Sequence, residues 1–211
     1  MELFFNKDQE IDIKNINKNN KVIDFLSAIT NFLEAHPLDC FNCNSNCCSR
    51  DWNIELDIIF YNRLLNQEIK YDKLKNLDNP RSLLKINSIN RPVFNDKPCY
   101  FLGENNLCQI YEKRPFICRG YICYNDSDNY KIFRDTILDS LNLILLIKLL
   151  SEKENKSLKR ISVEKFDIKK IDKLPFHDLD YNIKIIDLIE GIKTVLDNNK
   201  YESLKLLFID K

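Results

Sequence analysis

Residues 126–150 read DSDNYKIFRDTILDSLNLILLIKLL, and this stretch decides the fold class. Phe133, Ile137, Leu141, Ile144, Leu145 and Leu149 recur at three- and four-residue spacing, which places them on one face of a helix running from about residue 130 to 154. Asp126, Ser127 and Asp128 ahead of it are residue types whose side chains accept from the first unpaired amides of a helix. Its most apolar part, residues 141–150, is interrupted by Asn142 and Lys148 and is far shorter than the ~20 residues a membrane-spanning helix needs. The segment therefore reads as a central core helix.

Working outward, Pro115 suits the first turn of a short helix, where its missing N–H is harmless. That helix would carry Cys118 and Arg119 before Gly120 ends it. Upstream, residues 99–102 and 107–111 flank the turn-rich Gly103-Glu104-Asn105-Asn106, so a small hairpin is expected whose arms bring Cys99 close to Cys108. Val22, Phe25, Leu26, Ile29, Phe32 and Leu33 define an earlier helix that stops where His36 precedes Pro37. Trp52, Ile54 and Leu56 alternate briefly, and Ile58, Ile59, Leu64 and Leu65 carry a helix to about Ile69. From there to Asp96 a polar connection with short extended pieces is expected. Residues 1–20 are rich in Asn, Asp and Lys, with apolar positions too sparse to define a buried face, and read as a loose lead-in. Beyond the central helix a lysine-rich connector leads to helices near residues 180–197 and 201–209. No internal repeat is visible.

The 211 residues suffice for one sizeable core, and 44% hydrophobic with 30% charged residues is a composition that folds compactly. Lys plus Arg and Asp plus Glu both number 32, so no net field draws the chain to nucleic acid or to an anionic membrane. The connector at 152–173 holds eight basic residues against five acids, which suits a solvated linker better than a nucleic-acid contact. Residues 1–10 have neither a basic nor an apolar region of the secretory kind, so a cytoplasmic location is expected. Only Gly103, Gly120 and Gly191 occur, which excludes glycine-rich phosphate cradles. The two histidines, His36 and His177, leave few general bases and no supported Ser-His-Asp or Cys-His arrangement.

The chemistry lies in eight cysteines. Cys40, Cys43, Cys47 and Cys48 form C-x2-C-x3-C-C, and Cys99, Cys108, Cys118 and Cys123 follow at gaps of eight, nine and four residues. Among reduced thiols a disulfide framework has little use, so clustered cysteines point to metal or redox chemistry. C-x2-C is a chelate bite, because two thiolates can converge on one ion from a tight turn. The adjacent Cys47 and Cys48 point apart in extended backbone, which suits two centres, or one ligand beside one reactive thiol. Eight thiolates equip two tetrahedral zinc sites, or one iron-sulfur cluster of the 4Fe-4S kind plus a second site; spacing does not separate these. Arg50, Lys113, Arg114 and Arg119 lie close to cysteines in sequence, where they could neutralise an anionic thiolate centre, with Arg114 and Arg119 the candidate cofactor-binding pair. Tyr111, Phe116 and Tyr121 are expected to pack around the site as core. His36 and His177 are not expected to be ligands.

Cys40-Phe-Asn-Cys43-Asn-Ser-Asn-Cys47-Cys48, Pro98-Cys99-Tyr-Phe-Leu102 and Cys108-Gln-Ile-Tyr111-Glu-Lys-Arg114-Pro115-Phe-Ile-Cys118-Arg119 together resemble the YkgJ-type cysteine-cluster family. The resemblance covers residues 40–123 and implies zinc or iron chelation by eight cysteines, with Arg114-Pro115 similar to the family's Arg-Pro step. It implies no settled reaction. A related cysteine pattern accompanies bacterial flagellin lysine N-methylases, which look larger than this chain.

The expected fold is mainly α: a single compact helical domain with a small β-hairpin and a cysteine-rich metal-binding core. Residues 1–20 would be the lead-in, 21–150 the cysteine-cluster domain, and 151–211 a connector with helices packing on it. The expected function is a cytosolic protein binding an iron-sulfur cluster or zinc, with a redox or electron-transfer role and room for a protein redox partner, and with neither membrane nor nucleic acid as partner. Two alternatives stay open: a cluster-dependent enzyme of oxidoreductase or protein-methylase type, and an adaptor with purely structural zinc. For the enzyme, the order C-x2-C-x3-C is the reverse of that typical of radical S-adenosylmethionine enzymes.

Overall fold

A computed structural model of the chain describes residues 1–38, 54–71, 84–86, 91–94, 99–104, 107–151 and 179–192. Cys40, Cys43, Cys47, Cys48, Arg50, Trp52, His177 and the helix expected at 201–209 lie outside the described residues.

The central helix, α4 (Asp128–Ser151), stands where the periodicity places it. Ser127 caps it, its Oγ accepting from the Tyr130 amide at 3.2 Å. Phe133, Ile137, Leu141, Ile144 and Leu145 are wholly buried. Against them pack α1 (Val22–Ala35), α2 (Ile58–Leu65), the five-residue α3 (Phe116–Gly120) and α5 (Ile185–Ile192). Phe25 of α1 is the joint of this core, with ring centres 5.2 Å from Phe133, 5.8 Å from Tyr130 and 6.0 Å from Phe116. Among the described residues no helix is long and apolar enough to cross a membrane.

Asn142 and Lys148, which interrupt the apolar run, are buried and bonded. Asn142 donates to the Leu56 carbonyl at 2.8 Å and Lys148 to the Asn62 side-chain oxygen at 2.8 Å. Each satisfies a polar group that would otherwise be costly inside the core, and each fixes α4 against the segment around α2.

The mainly helical reading holds, with two small antiparallel sheets beside the helices. Residues 1–20 depart from the expected loose lead-in. β1 (Glu2–Phe5) and β2 (Ile11–Lys14) pair as a hairpin. The turn between them is held by Asn6, whose side-chain oxygen accepts from the amides of Asp8 and Glu10 at 2.9 Å each. Ile11, Ile13 and Ile16 are buried, at a period of two and then three that a helical template does not detect. β2 reaches the start of α4, where Ile11 N donates to Asn125 O at 2.7 Å and Ser127 N to Ile11 O at 2.9 Å. The second sheet has the order β3-β5-β4, from β3 (Ile54–Glu55), β4 (Leu84–Ile86) and β5 (Pro92–Phe94). Pro92 is tolerated in the middle strand because it is the first residue there. Arg91 ties this sheet to α4 through Glu55 at 2.5 Å and Asp139 at 2.6 Å. The segment at 179–192 docks on the start of α1, with Val22 N donating to Ile183 O and Ile23 N to Tyr181 O.

Candidate metal centre

Cys99 and Cys108 are brought together by the expected turn, though as a single bridge rather than a ladder. Leu102 pairs with Cys108, Gly103 N donates to Leu107 O and Gln109 N to Phe101 O, both at 2.9 Å. Phe101, 3% exposed, anchors this loop with its ring 5.5 Å from Phe94 and 5.9 Å from Phe60.

Cys118 rides on α3, a helix too short to stand by itself and therefore dependent on its ends. Its start is held by Asp57, a wholly buried residue that the sequence reading did not single out. Asp57 caps α2 by accepting from Phe60 N at 2.8 Å, accepts from Phe116 N at 2.7 Å, and faces the Tyr181 hydroxyl at 3.3 Å. Burial pushes its carboxyl above the ordinary range, opposed by the bonds from Phe116, Phe60 and Tyr181 and by the charge of Arg63. A capping aspartate before the apolar helix at Ile58 is a readable signal, but its second duty toward α3, 59 residues on, is not. The far end of α3 is held by Tyr130, whose hydroxyl donates to Gly120 O at 2.9 Å. A Cβ on Gly120 would lie 3.4 Å from both the Arg134 side chain and the Phe116 ring, at the near edge of ordinary contact, so α3 and α4 pack closely here. Cys123 follows at once, exposed, beside the buried Ile122.

All four cysteines of this second set line one cavity of about 100 Å3, floored by Leu33, Phe94, Phe101 and Ile110. Arg114 and Arg119 line it too. Arg114 is fixed by donating Nε–H to the Tyr111 carbonyl at 2.9 Å, with its guanidinium 3.6 Å from the Tyr111 ring centre. Arg119 lies 5.7 Å from the Tyr181 ring. Partial burial holds its guanidinium below the usual range; Tyr181 raises it, while Arg63 and Arg114 lower it further. The four cysteines are joined by no disulfide among the described residues. Nor do any three Cys, His, Asp or Glu side chains among the described residues already converge as a ready-made ion site.

Three expected roles change. Lys113 does not line the cavity; it donates to the Glu68 carbonyl, because it sits on the outward side of the 3-10 turn at Tyr111–Lys113. Tyr111 and Tyr121 are not core, being 55% and 43% exposed, although both edge the cavity. Phe116 is core as expected. His36 lies at the end of α1 with its ring against Phe32 and Phe5.

Residues 39–135 match the CxxCxxCC family. Its model is described as "Putative zinc- or iron-chelating domain", and the match agrees with the cysteine-cluster family that the sequence resembles. The matched span holds all eight cysteines, Arg114 and Arg119, and supports metal binding, by zinc or iron chelation, as the general function of this segment. The chain's own spacing has three residues between Cys43 and Cys47, one more than the family's label shows. No curated protein and no solved structure gives a match.

Proposed function

We propose that Cys99, Cys108, Cys118 and Cys123 present one wall of thiolates to an iron-sulfur cluster, of the 4Fe-4S kind, or to zinc, and that Cys40, Cys43, Cys47 and Cys48 complete the ligand set. The supporting observation is the common cavity: residues up to 24 positions apart in sequence line one space together with two arginines. The donor set fits such a group. Thiolates are soft ligands that select zinc and iron-sulfur clusters. Arg114 and Arg119 would offset the negative charge of the thiolates and orient them by hydrogen bonding to sulfur. When bound, the group supplies either an electron-accepting centre or a cross-link between distant parts of the chain. The chelating domain would extend over residues 21–150, with 151–211 packing on it. The role we favour is cytoplasmic redox or electron transfer with a protein partner, without membrane or nucleic acid.

The test is purification of the full chain without oxygen, followed by elemental analysis and absorption spectroscopy. An iron-sulfur centre gives brown protein with a broad visible band; colourless protein with stoichiometric zinc rejects the cluster and retains the chelate. Cys43→Ser and Cys118→Ser are expected to lose metal and solubility, because metal ligation contributes on the order of 10 kcal/mol of folding free energy in small zinc domains. Full metal content and unchanged thermal stability in both variants would remove these residues from the ligand set.

A further inference from the structure

A second cavity, of about 220 Å3, lies behind the arginine wall, and nothing in the chelating role requires it. One side is a single face of α1, where Leu26, Ile29 and Leu33 recur at helical spacing with Glu34 beside them. The other side carries Arg114 and Arg119, so the two cavities share these residues. The space is many times what a water needs.

Its charges are arranged in an unusual way. Among the described residues no carboxylate forms an ion pair with Arg114 or Arg119, although Arg119 is partly buried. Each guanidinium is a planar fork of five donors and lines both cavities, so it can face the thiolates on one side and a carboxylate on the other. Glu34 breaks the complementary rule. It stands in the last turn of α1, which has no basic residue, so its charge adds to the negative pole of the helix where a cation would be favourable. Glu112 lines the same cavity and balances the second arginine, leaving a lining of two cations and two anions. A phosphate or dicarboxylate would meet the arginines but oppose both glutamates. A ligand carrying one anionic and one cationic group satisfies both, and the apolar face of α1 favours an aliphatic body between them.

The geometry points to a binding site for a zwitterionic small molecule of the aliphatic α-amino acid class, with its carboxylate toward Arg114 and Arg119 and its ammonium toward Glu34. The site does not depend on the metal assignment, though the shared arginines make the two cavities neighbours in charge.

The test is isothermal titration of the full-length, metal-loaded protein with L-leucine, with 4-methylpentanoate, which lacks the ammonium, and with 3-methylbutylamine, which lacks the carboxylate. Leucine is expected to bind at least about tenfold more tightly than either analogue, a difference of ~1.4 kcal/mol. Glu34→Gln should weaken leucine by about tenfold, leave 4-methylpentanoate unchanged, and leave the melting temperature and metal content alone, since Glu34 is exposed. Absence of leucine binding would overturn the inference. So would equal binding of leucine and 4-methylpentanoate that Glu34→Gln does not alter, which would mark the cavity as a plain anion site. Metal content measured on the same samples separates either failure from a failure of the chelating role.

Discussion

Two arginines, Arg119 of α3 and Arg134 of α4, summarise two regions that obey different rules. Arg134, in the helical core, is 7% exposed and pairs with Asp126 at 2.5 Å and Asp135 at 3.0 Å. Burial would lower its guanidinium, but Asp135 and Asp126 prevail and raise it. Arg119, on the cysteine wall, is lowered, with burial first and Arg63 and Arg114 adding to it. Around α4 even the buried amide and ammonium of Asn142 and Lys148 have fixed acceptors. Along the wall, Arg114, Arg119, the four cysteines and the exposed rings of Tyr111 and Tyr121 line one cavity. Locally unfavourable placement such as that of Arg119 is expected where a site takes a partner, so on the proposed function the contrast separates the region that holds the fold from the region that would carry chemistry.

Substitutions should respect this division, and the largest effect belongs to the core. Phe133→Ala empties space against Phe25 and should cost about 3–5 kcal/mol in denaturant unfolding, while the protein that remains folded keeps its full metal content. Asp57→Ala comes next. It strands the amides of Phe60 and Phe116 and the Tyr181 hydroxyl, and should cost about 3 kcal/mol together with metal affinity, because Asp57 belongs to both regions. The same carboxyl gives a pH signature. Its folded pKa lies above the unfolded 3.8, so its stabilisation is complete below 3.8 and is lost as pH rises through the folded value. The stability advantage of wild type over Asp57→Asn should therefore shrink as pH is raised from 3.8 in chemical denaturation, and a growing advantage would reverse the assignment. Tyr181→Phe removes one hydroxyl and keeps the ring, for a loss of about 1 kcal/mol. Smallest in stability is Arg119→Gln, within about 0.5 kcal/mol of wild type. Its expected mark is on the site, a metal affinity about tenfold lower in competition with a chelator. If Arg119→Gln unfolds the protein and leaves metal affinity untouched, the two regions are not divided as described.

How much of this was legible follows from length and locality. α4 and α1 show in the sequence because each repeats its apolar period over several turns. The arms around Gly103 and the short helix from Pro115 to Gly120 show because turn residues and proline act locally. Strands of two to four residues do not repeat a period long enough to register, so the pairing of Leu3 with Ile13 and of Ile54 with Phe94 was missed. Asn142 and Lys148 look like interruptions because their partners, Leu56 and Asn62, are 86 residues away. The same distance problem hides Tyr181, which reaches Asp57 across 124 residues. Of the candidate site, cysteine spacing nominates the residues, and Cys40, Cys43, Cys47 and Cys48 lie outside the described ones. The joining of Cys99, Cys108, Cys118 and Cys123 with Arg114 and Arg119 around one space required the fold.

X-ray absorption at the metal edge of anaerobically purified full-length protein reads the donor atoms themselves. Thiolate ligation predicts a first shell of sulfur at about 2.3 Å. A shell of nitrogen and oxygen at about 2.0–2.2 Å would place the metal elsewhere and contradict the account.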